Sequence, residues 1–280
     1  MAGSRYEYVR KFELPDPLLM GTFFVLRIDG HAFHKLSDEH EFTKPNDESA
    51  LQLMDHAARD VMKEFKDICL AFGESDEFSF LFRKSAALYN RRQAKILSTV
   101  TSLFTSSYVY NWPKYLPNKE LRYPPSFDGR IVMYPSPKEV RDYFAWRQAD
   151  THINNLYNTI FWALVLHGGE STTQAHATLK GTVSSTKHEI LHTRFGINYN
   201  NLPARFRKGS VLVREQIVPE IPAASVEGTG SSPGAEDSGV VDPPVRKSTK
   251  KPKVQFSIEL LHCDIIGDEF WEQRPFLLAE

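Results

Sequence analysis

Cysteine is scarce in this chain: Cys69 and Cys263 are the only two in 280 residues. That excludes a disulfide framework and a structural cysteine-based zinc centre, and it fits a reducing compartment. An excess of one charge is missing as well, since 34 Lys and Arg stand against 35 Asp and Glu, a formal net charge of −1. Any binding to a polyanion must therefore come from local patches. No apolar run approaches the length of a membrane span, and the stretch from Met1 to Asp16 is charged with no signal-like apolar core. No membrane contact is expected, and the location expected is cytoplasmic or nuclear, with a mitochondrial pool left open. Internal repeats are absent too. What the chain does have is apolar and aromatic bulk, 41% and 12%, enough for one large domain or two small ones with a real core.

Phe72 to Phe82 is the stretch around which the rest is organised, because a polar turn with three acids, Glu74, Asp76 and Glu77, interrupts a strongly aromatic run. The pattern predicts a hairpin with arms Ile68–Phe72 and Phe78–Phe82 and a turn over Gly73–Glu77. Upstream, Thr22 to Asp29 reads as a buried strand that stops at Asp29-Gly30, where turn chemistry begins. Either acidic end alone reads more readily as an ordinary turn. Together they place carboxylates where neighbouring strands would meet. Hard cations take oxygen ligands and keep positions open for substrate phosphates, so such a pair suits phosphoryl transfer. Asp76 and Glu77 are adjacent and face opposite ways on an extended strand, which makes Asp76 the better ligand.

A helix capped by Asn46 or Asp47 is predicted to run to about Lys66, with Leu51, Met54, Ala58, Met62 and Phe65 on its apolar face. A second, from about Ala86 to Tyr108, would carry Arg91, Arg92 and Lys95 as one basic face, readable as phosphate contact or as a solvated surface. Arg130–Tyr134 reads as a short strand, and Ser136-Pro137-Lys138-Glu139 as a capping box with Pro at the first helical position. The order strand, helix, strand, strand, helix, strand is the βαββαβ arrangement of a ferredoxin-like sheet, in the α+β class. The helical pattern from Glu139 to His167 is unusually polar, and a break is expected near Asp150. Two short helices, Thr172–Leu179 and Thr186–His192, and a strand from Ser210 to Val213 follow. Pro219 to Lys253 is rich in Gly, Ser, Pro and charge and is expected to be a disordered insertion whose Lys247, Lys250, Lys251 and Lys253 form a basic tail. The apolar stretch from Phe256 to Leu278 should dock back on the domain. The organisation expected is thus a palm-like core over 1–136, a helical and basic region of the same domain over 137–218, the insertion over 219–253 and a docking segment over 254–280.

Gly30-His31-Ala32-Phe33-His34 could wrap a triphosphate with successive backbone amides, helped by Lys44 and Ser75; an ordinary polar loop is the plain alternative. Arg205, Arg207 and Lys208, with Phe206 between them, resemble a phosphate-binding strip with a stacking ring, or a plain surface loop. His152, Asn154, Asn155 and Asn158 partly share a helix face and could read RNA, or could be satisfied core groups.

These residues carry a resemblance. The strings Ser4-Arg5-Tyr6-Glu7-Tyr8-Val9-Arg10, Arg27-Ile28-Asp29-Gly30, Phe42-Thr43-Lys44-Pro45-Asn46-Asp47, Gly73-Glu74-Ser75-Asp76-Glu77, Phe127-Asp128-Gly129-Arg130, Trp146-Arg147-Gln148-Ala149-Asp150, His152-Ile153-Asn154-Asn155-Leu156-Tyr157-Asn158-Thr159 and Asn198-Tyr199-Asn200-Asn201 occur in this order. The chain resembles the eukaryotic tRNA-His guanylyltransferases over nearly its whole length, the 219–253 insertion being the main departure. The resemblance implies a polymerase-type palm that adds a guanylate to the 5′ end of tRNA(His) in the 3′ to 5′ direction. It implies 5′-adenylylation by ATP, attack by the 3′-hydroxyl of GTP and removal of pyrophosphate. Two magnesium ions would sit on Asp29, Asp76 and the Gly30 carbonyl, with Glu77 also required for activity. Nucleotide contacts would come from Asp29, Gly30, His31, Ala32, Phe33, His34, Ser75 and Asp76, and triphosphate contacts from Lys44 and Asn46. The implied tRNA contacts include His152 and Lys187; Arg92, Lys95, Asn155, Arg207 and Lys208 join them from the basic and polar patterns above. The resemblance also implies a homotetramer, whose subunits would share a tRNA too long for one protomer to span from anticodon to acceptor end.

Three other readings compete: a template-dependent 5′-end repair polymerase on the same acidic core, a non-catalytic RNA-binding ferredoxin-like module, and a nucleotide cyclase with a similar palm. Dependence on the histidine anticodon, absence of turnover, or a cyclic product made without RNA would single out each in turn.

Overall fold

The structure is a computed structural model that describes residues 4–217 and 255–279. Contacts divide the chain into Met1–Arg214 with Ile258–Glu280, and a smaller unit, Glu215–Ser257, of which only the ends of two strands are described. The 219–253 insertion and its lysines lie outside the described residues. Among the described residues no helix is long and apolar enough to cross a membrane.

Among the described residues six strands form one α+β sheet: β1 (Phe23–Gly30), β2 (Ile68–Glu74), β3 (Glu77–Phe82), β4 (Phe127–Tyr134), β5 (Ser210–Ile217) and β6 (Gln255–Leu261), in the order β4-β1-β3-β2-β5-β6. The pairings β1–β3, β1–β4, β2–β3 and β2–β5 are antiparallel. Between β1 and β2 lie α1 (Phe33–Glu39) and α2 (Glu48–Glu64), and between β3 and β4 lies α3 (Gln93–Tyr115). After β4 come α4 (Pro137–Leu166), α5 (Thr172–Leu179), α6 (Ser184–Phe195) and the short α7 (Ala204–Lys208), and β6 is followed by α8 (Asp268–Glu272).

Antiparallel sheets commonly leave one face to water, but here both faces are covered, which is why the strands read as nearly continuous apolar runs. Successive residues of β1 divide between two cores, as the pleat requires. Phe24, Leu26 and Ile28 join Leu53, Ala57 and Val61 of α2 and Ile96, Val100 and Phe104 of α3. Phe23 and Val25 join Val140, Tyr143 and Phe144 of α4, together with Ile265, Phe270, Trp271 and Leu277 from the end of the chain. A third core holds the second half of α4, through Leu156, Ile160 and Leu164, against α5 and α6.

The α2 cap is as read, with the Asp47 side chain accepting from the Ala50 N–H at 3.0 Å. Three expectations need correction. The hairpin arms extend through Gly73, Glu74 and Glu77, which leaves a two-residue turn, Ser75-Asp76. Gly73 is not a turn residue: a Cβ there would come within 2.3 Å of the Phe78 ring, so glycine serves close packing inside the sheet. The second helix starts at Gln93 instead of Ala86, because Tyr89, Asn90 and Arg91 all have positive φ. Arg91 therefore turns inward, donating to the Thr22 and Ala86 carbonyls at 3.1 and 3.0 Å, and forms no basic face with Arg92 and Lys95. Finally, α4 runs unbroken through Asp150. Its polar residues are inward staples: Gln148 donates to the carbonyls of Lys208 and Cys263 at 2.8 and 3.0 Å and accepts from the Ile265 N–H at 2.8 Å.

Candidate active site

Asp29, at the end of β1, stands in register with Glu77 of β3 and Asp128 of β4. The Ser75-Asp76 turn is tied to the same strand end, since the Gly30 N–H donates to the Asp76 carbonyl at 3.0 Å. Ser75 takes φ 49°, the left-handed conformation that two-residue hairpin turns demand. Burial pushes the Asp76 carboxyl above the usual carboxylate range, and the Asp29 charge pushes the same way, against a hydrogen bond from Ser75 and the nearby His34. Among the described residues neither Asp29 nor Asp76 has an ion-pair partner. A carboxylate pair that is half-buried and short of positive charge fits a divalent cation. Among the described residues no cluster of three or more His, Cys, Asp or Glu side chains could hold a metal. The donors available are thus two carboxylates and main-chain oxygen, a set that suits magnesium with substrate phosphates completing its shell.

Glu77 is placed differently. Arg147 of α4 donates to Glu77 at 2.8 Å and to Glu74 at 2.7 Å, the two residues that pair across the base of the Ser75-Asp76 turn. Arg27 adds a contact to Glu77 at 3.5 Å, and Asp150 lies 3.2 Å from Arg147. One guanidinium is thus shared among three carboxylates. Burial pushes the Glu74 carboxyl up to about 7; a Thr151 hydrogen bond and Arg147 oppose it, and the Glu77 and Asp150 charges add to it. Burial works against the Arg147 charge, yet Glu77, Glu74 and Asp150 outweigh it and raise its pKa. Burial sets the first direction and the surrounding carboxylates the second, with three acids gathered around Arg147 and Arg27 beside Glu77.

Beside Asp76 opens a cleft of about 240 Å³ walled by Phe33, His34, Ser37, Lys44, Asn46, Asp47, Ser75, Tyr108 and Trp162, among others. Lys44, preceding a cis proline peptide, reaches Ser37 Oγ at 2.9 Å and Asp38 at 2.8 Å, with its ammonium 5.4 Å from the Trp162 ring centre. The Asn46 amide donates to Asn155 Oδ1 at 3.0 Å. The amide cradle expected over residues 30–34 is partly engaged already, because the N–H groups of Gly30 and His31 donate to Asp76 and Ser126 carbonyls. Ala32, with φ 56°, reverses the chain into α1, placing Phe33 and His34 on the cleft wall while His31 stays exposed. Gly30 is required by Phe33, whose ring would lie 2.3 Å from any Cβ at that position.

Comparison with known proteins decides the family. The description tRNAHis guanylyltransferase matches residues 6–135, and the Thg1 C terminal domain matches residues 138–267. A tRNA(His) guanylyltransferase of Schizosaccharomyces pombe is 50% identical over 277 residues, covering 99% of this chain and 98% of its own. The chain belongs to the tRNA-His guanylyltransferase family. It is accordingly a nucleotidyltransferase. A probable tRNA(His) guanylyltransferase of Drosophila melanogaster is 56% identical, covering 100% of this chain and 87% of the fly protein. The crystal structure of the Saccharomyces cerevisiae enzyme superposes with a TM-score of 0.72 at 47% identity, over 75% of this chain and 93% of that one. A bacterial Thg1-like protein in complex with ATP shares the fold, with a TM-score of 0.67 at 19% identity over 98% of this chain and 96% of its own.

Within this guanylyltransferase fold the residues expected to meet RNA are scattered. Arg92 is exposed and lies 3.7 Å from Asp16, and Lys95 is exposed with its ammonium 4.7 Å from the Tyr89 ring centre. His152 packs on His188 and Tyr199, Lys187 donates to the Thr182 carbonyl at 2.7 Å, and Arg207 donates to the Leu202 carbonyl at 2.8 Å. Lys208 is half-buried and gives its carbonyl to Gln148. Arg205 of the same strip pairs inward with Asp55. Asn155 is buried, with both amide ends bonded inside the protein, so it presents no surface to RNA. Sequence reasoning missed Arg27, Glu74, Arg147, Tyr108 and Trp162. A lone arginine in each apolar context, Arg27 in a strand and Arg147 in a buried helix face, was the available signal.

Proposed function

We propose that the chain is a tRNA(His) guanylyltransferase adding one guanylate to the 5′ end of tRNA(His), on a ferredoxin-like palm of the polymerase type. The observation that carries the reading is the Asp29 and Asp76 pair at joined strand ends, lacking an ion-pair partner among the described residues, with Asp76 on the wall of the cleft. The sheet order β4-β1-β3-β2 with α2 and α3 on one face supports the palm assignment. The names of the relatives, with ATP- and GTP-bound Thg1-like proteins of the same fold, support the substrates.

Asp29, Asp76 and the Gly30 carbonyl would hold two magnesium ions. When bound, these supply charge neutralisation at the phosphates and lower the pKa of an attacking hydroxyl. The protein's own groups do the rest. Lys44 and Asn46 line the cleft where they can meet a triphosphate, and Phe33, Tyr108 and Trp162 give it apolar walls that exclude water. Arg147 and Arg27 hold Glu77 and Glu74, and so fix the turn that aims Asp76. The chemistry the family implies is adenylylation of the tRNA 5′-phosphate by ATP, attack by the GTP 3′-hydroxyl with release of AMP, and removal of pyrophosphate from the new end. We further propose a homotetramer, supported by an exposed apolar N-terminal segment with Tyr6, Tyr8, Phe12 and Leu14; sedimentation of a monomer alone would refute it.

Labelled guanylate transfer from GTP to 5′-monophosphorylated tRNA(His), with ATP and magnesium, tests the reading beside tRNA(Phe) and an Asp76→Ala control. Label on tRNA(His) alone, lost in the variant, is the expected result. Extension of both tRNAs would favour the repair polymerase, and RNA binding without transfer would leave a binding module.

A further inference from the structure

Behind the nucleotide cleft a line of hydrogen bonds runs inward from Asn46. Its amide donates to Asn155 Oδ1 at 3.0 Å, the Asn155 amide donates to the Tyr199 hydroxyl at 3.0 Å, and that hydroxyl donates to the His152 carbonyl at 3.4 Å. Asn155 is 7% exposed and Tyr199 1%. The far end sets the direction of every bond, because a main-chain carbonyl can only accept. The tyrosine hydroxyl must then donate to it and accept from the Asn155 NH₂ group. Asn155 in turn must show its oxygen to Asn46, and Asn46 must answer with its NH₂ group. The orientation of an amide at the cleft is thereby determined by a phenol in the helical layer, behind a helix whose buried face carries Asn155.

We propose that Tyr199 is a positioning residue for nucleotide binding, acting through Asn155 to hold the Asn46 amide in one of its two flip states. The inference rests on the reading of the cleft as the nucleotide site. Without the hydroxyl, the Asn155 NH₂ group loses its acceptor inside a closed core, where an unmade hydrogen bond is costly, and both amides are released to rotate. The Asn46 NH₂ group that donates to Asn155 keeps a second hydrogen for a phosphate oxygen in the cleft, and the rotated states put the amide oxygen in its place, which opposes that phosphate. Tyr199 ring packing against His152, with centroids 5.3 Å apart, does not need the hydroxyl, so Tyr199→Phe keeps the core filled.

The test is a double-mutant cycle on the full chain, read as the Kd of a fluorescent GTP analogue with magnesium and without tRNA. Tyr199→Phe is expected to weaken binding about fivefold, the scale of one net hydrogen bond. In an Asn46→Ala background the same substitution is expected to change nothing, because the group it positions is gone. Asn155→Leu breaks the line at the next link and should reproduce both results, and it stands in if Tyr199→Phe folds poorly. Equal losses in the two backgrounds, or no loss in the wild-type background, would overturn the inference while leaving the nucleotide site intact. Failure of the wild-type chain to bind the analogue would overturn the site reading and the inference with it.

Discussion

Replacing Arg147 by Met tests the charge arrangement behind the catalytic turn. The side chains of Arg147, Glu74 and Glu77 are 7%, 9% and 11% exposed, so the substitution leaves two carboxylates deep in the protein without their main cation. Removing one partner of a buried pair costs about 3–5 kcal/mol. Arg27 stays 3.5 Å from Glu77 and retains part of its pairing, whereas among the described residues no other cation pairs with Glu74, which places the expected loss near the lower end, about 3 kcal/mol. For a chain of this size that corresponds to a fall in Tm of about 6–10 °C. The comparison should be made by thermal melts at pH 8 and pH 5.5 in EDTA. Because Glu74 already titrates at about 7 in the wild-type fold, protonation at the lower pH removes one of the stranded charges, and the gap between variant and wild type should shrink. A variant that melts with wild type at pH 8, or a gap of equal size at both values, would refute the reasoning.

The Glu74 carboxyl sets a pH dependence of its own. Its folded pKa of about 7 exceeds the ordinary 4.5, so between those values the folded state holds more protons and stability falls as pH rises. Glu74→Gln should flatten that slope in metal-free urea titrations, and an unchanged slope would count against it. If Asp76 holds metal as proposed, Asp76→Asn should lose guanylate transfer by a thousandfold or so, while Glu77→Gln, whose carbonyl can still accept from Arg147, should keep at least about a tenth of it. Equal losses measured by single-turnover assay would make Glu77 part of the chemistry itself. Gly30→Ala should cost about 1–3 kcal/mol from its clash with the Phe33 ring, which Phe127 and Tyr108 confine, and Phe33→Leu should restore most of that loss in urea melts.

Much of the architecture was legible because periodicity reports burial. The β1 pattern, the α2 cap at Asp47 and the acids at Asp29 and Asp76 all follow from local rules. What escaped was non-local. Gly73 looked like turn chemistry, yet its reason is the Phe78 ring two positions beyond the turn. Arg91 looked like surface, and only the positive φ values around it turn it into the core. The polar face of α4 suggested a break because its partners, the Lys208 and Cys263 carbonyls and the Glu74 and Glu77 carboxylates, are distant in the chain and invisible to any window of sequence.

Thirty residues of unbroken helix in α4 span about 45 Å at 1.5 Å per residue. Its first half closes one side of the sheet through Val140, Tyr143 and Phe144, and its second half forms the spine of the helical layer through Leu156, Ile160 and Leu164. The two family regions that meet beside its start, at 135 and 138, are therefore not separable pieces. Cutting there would strip Phe23, Val25, Leu70 and Leu81 to water and leave the remaining fragment a helix with half its surface undone. Fragment complementation, domain shuffling or expression of the acidic core alone should yield aggregates, and a protease that nicks the chain elsewhere should leave both halves bound through this one helix.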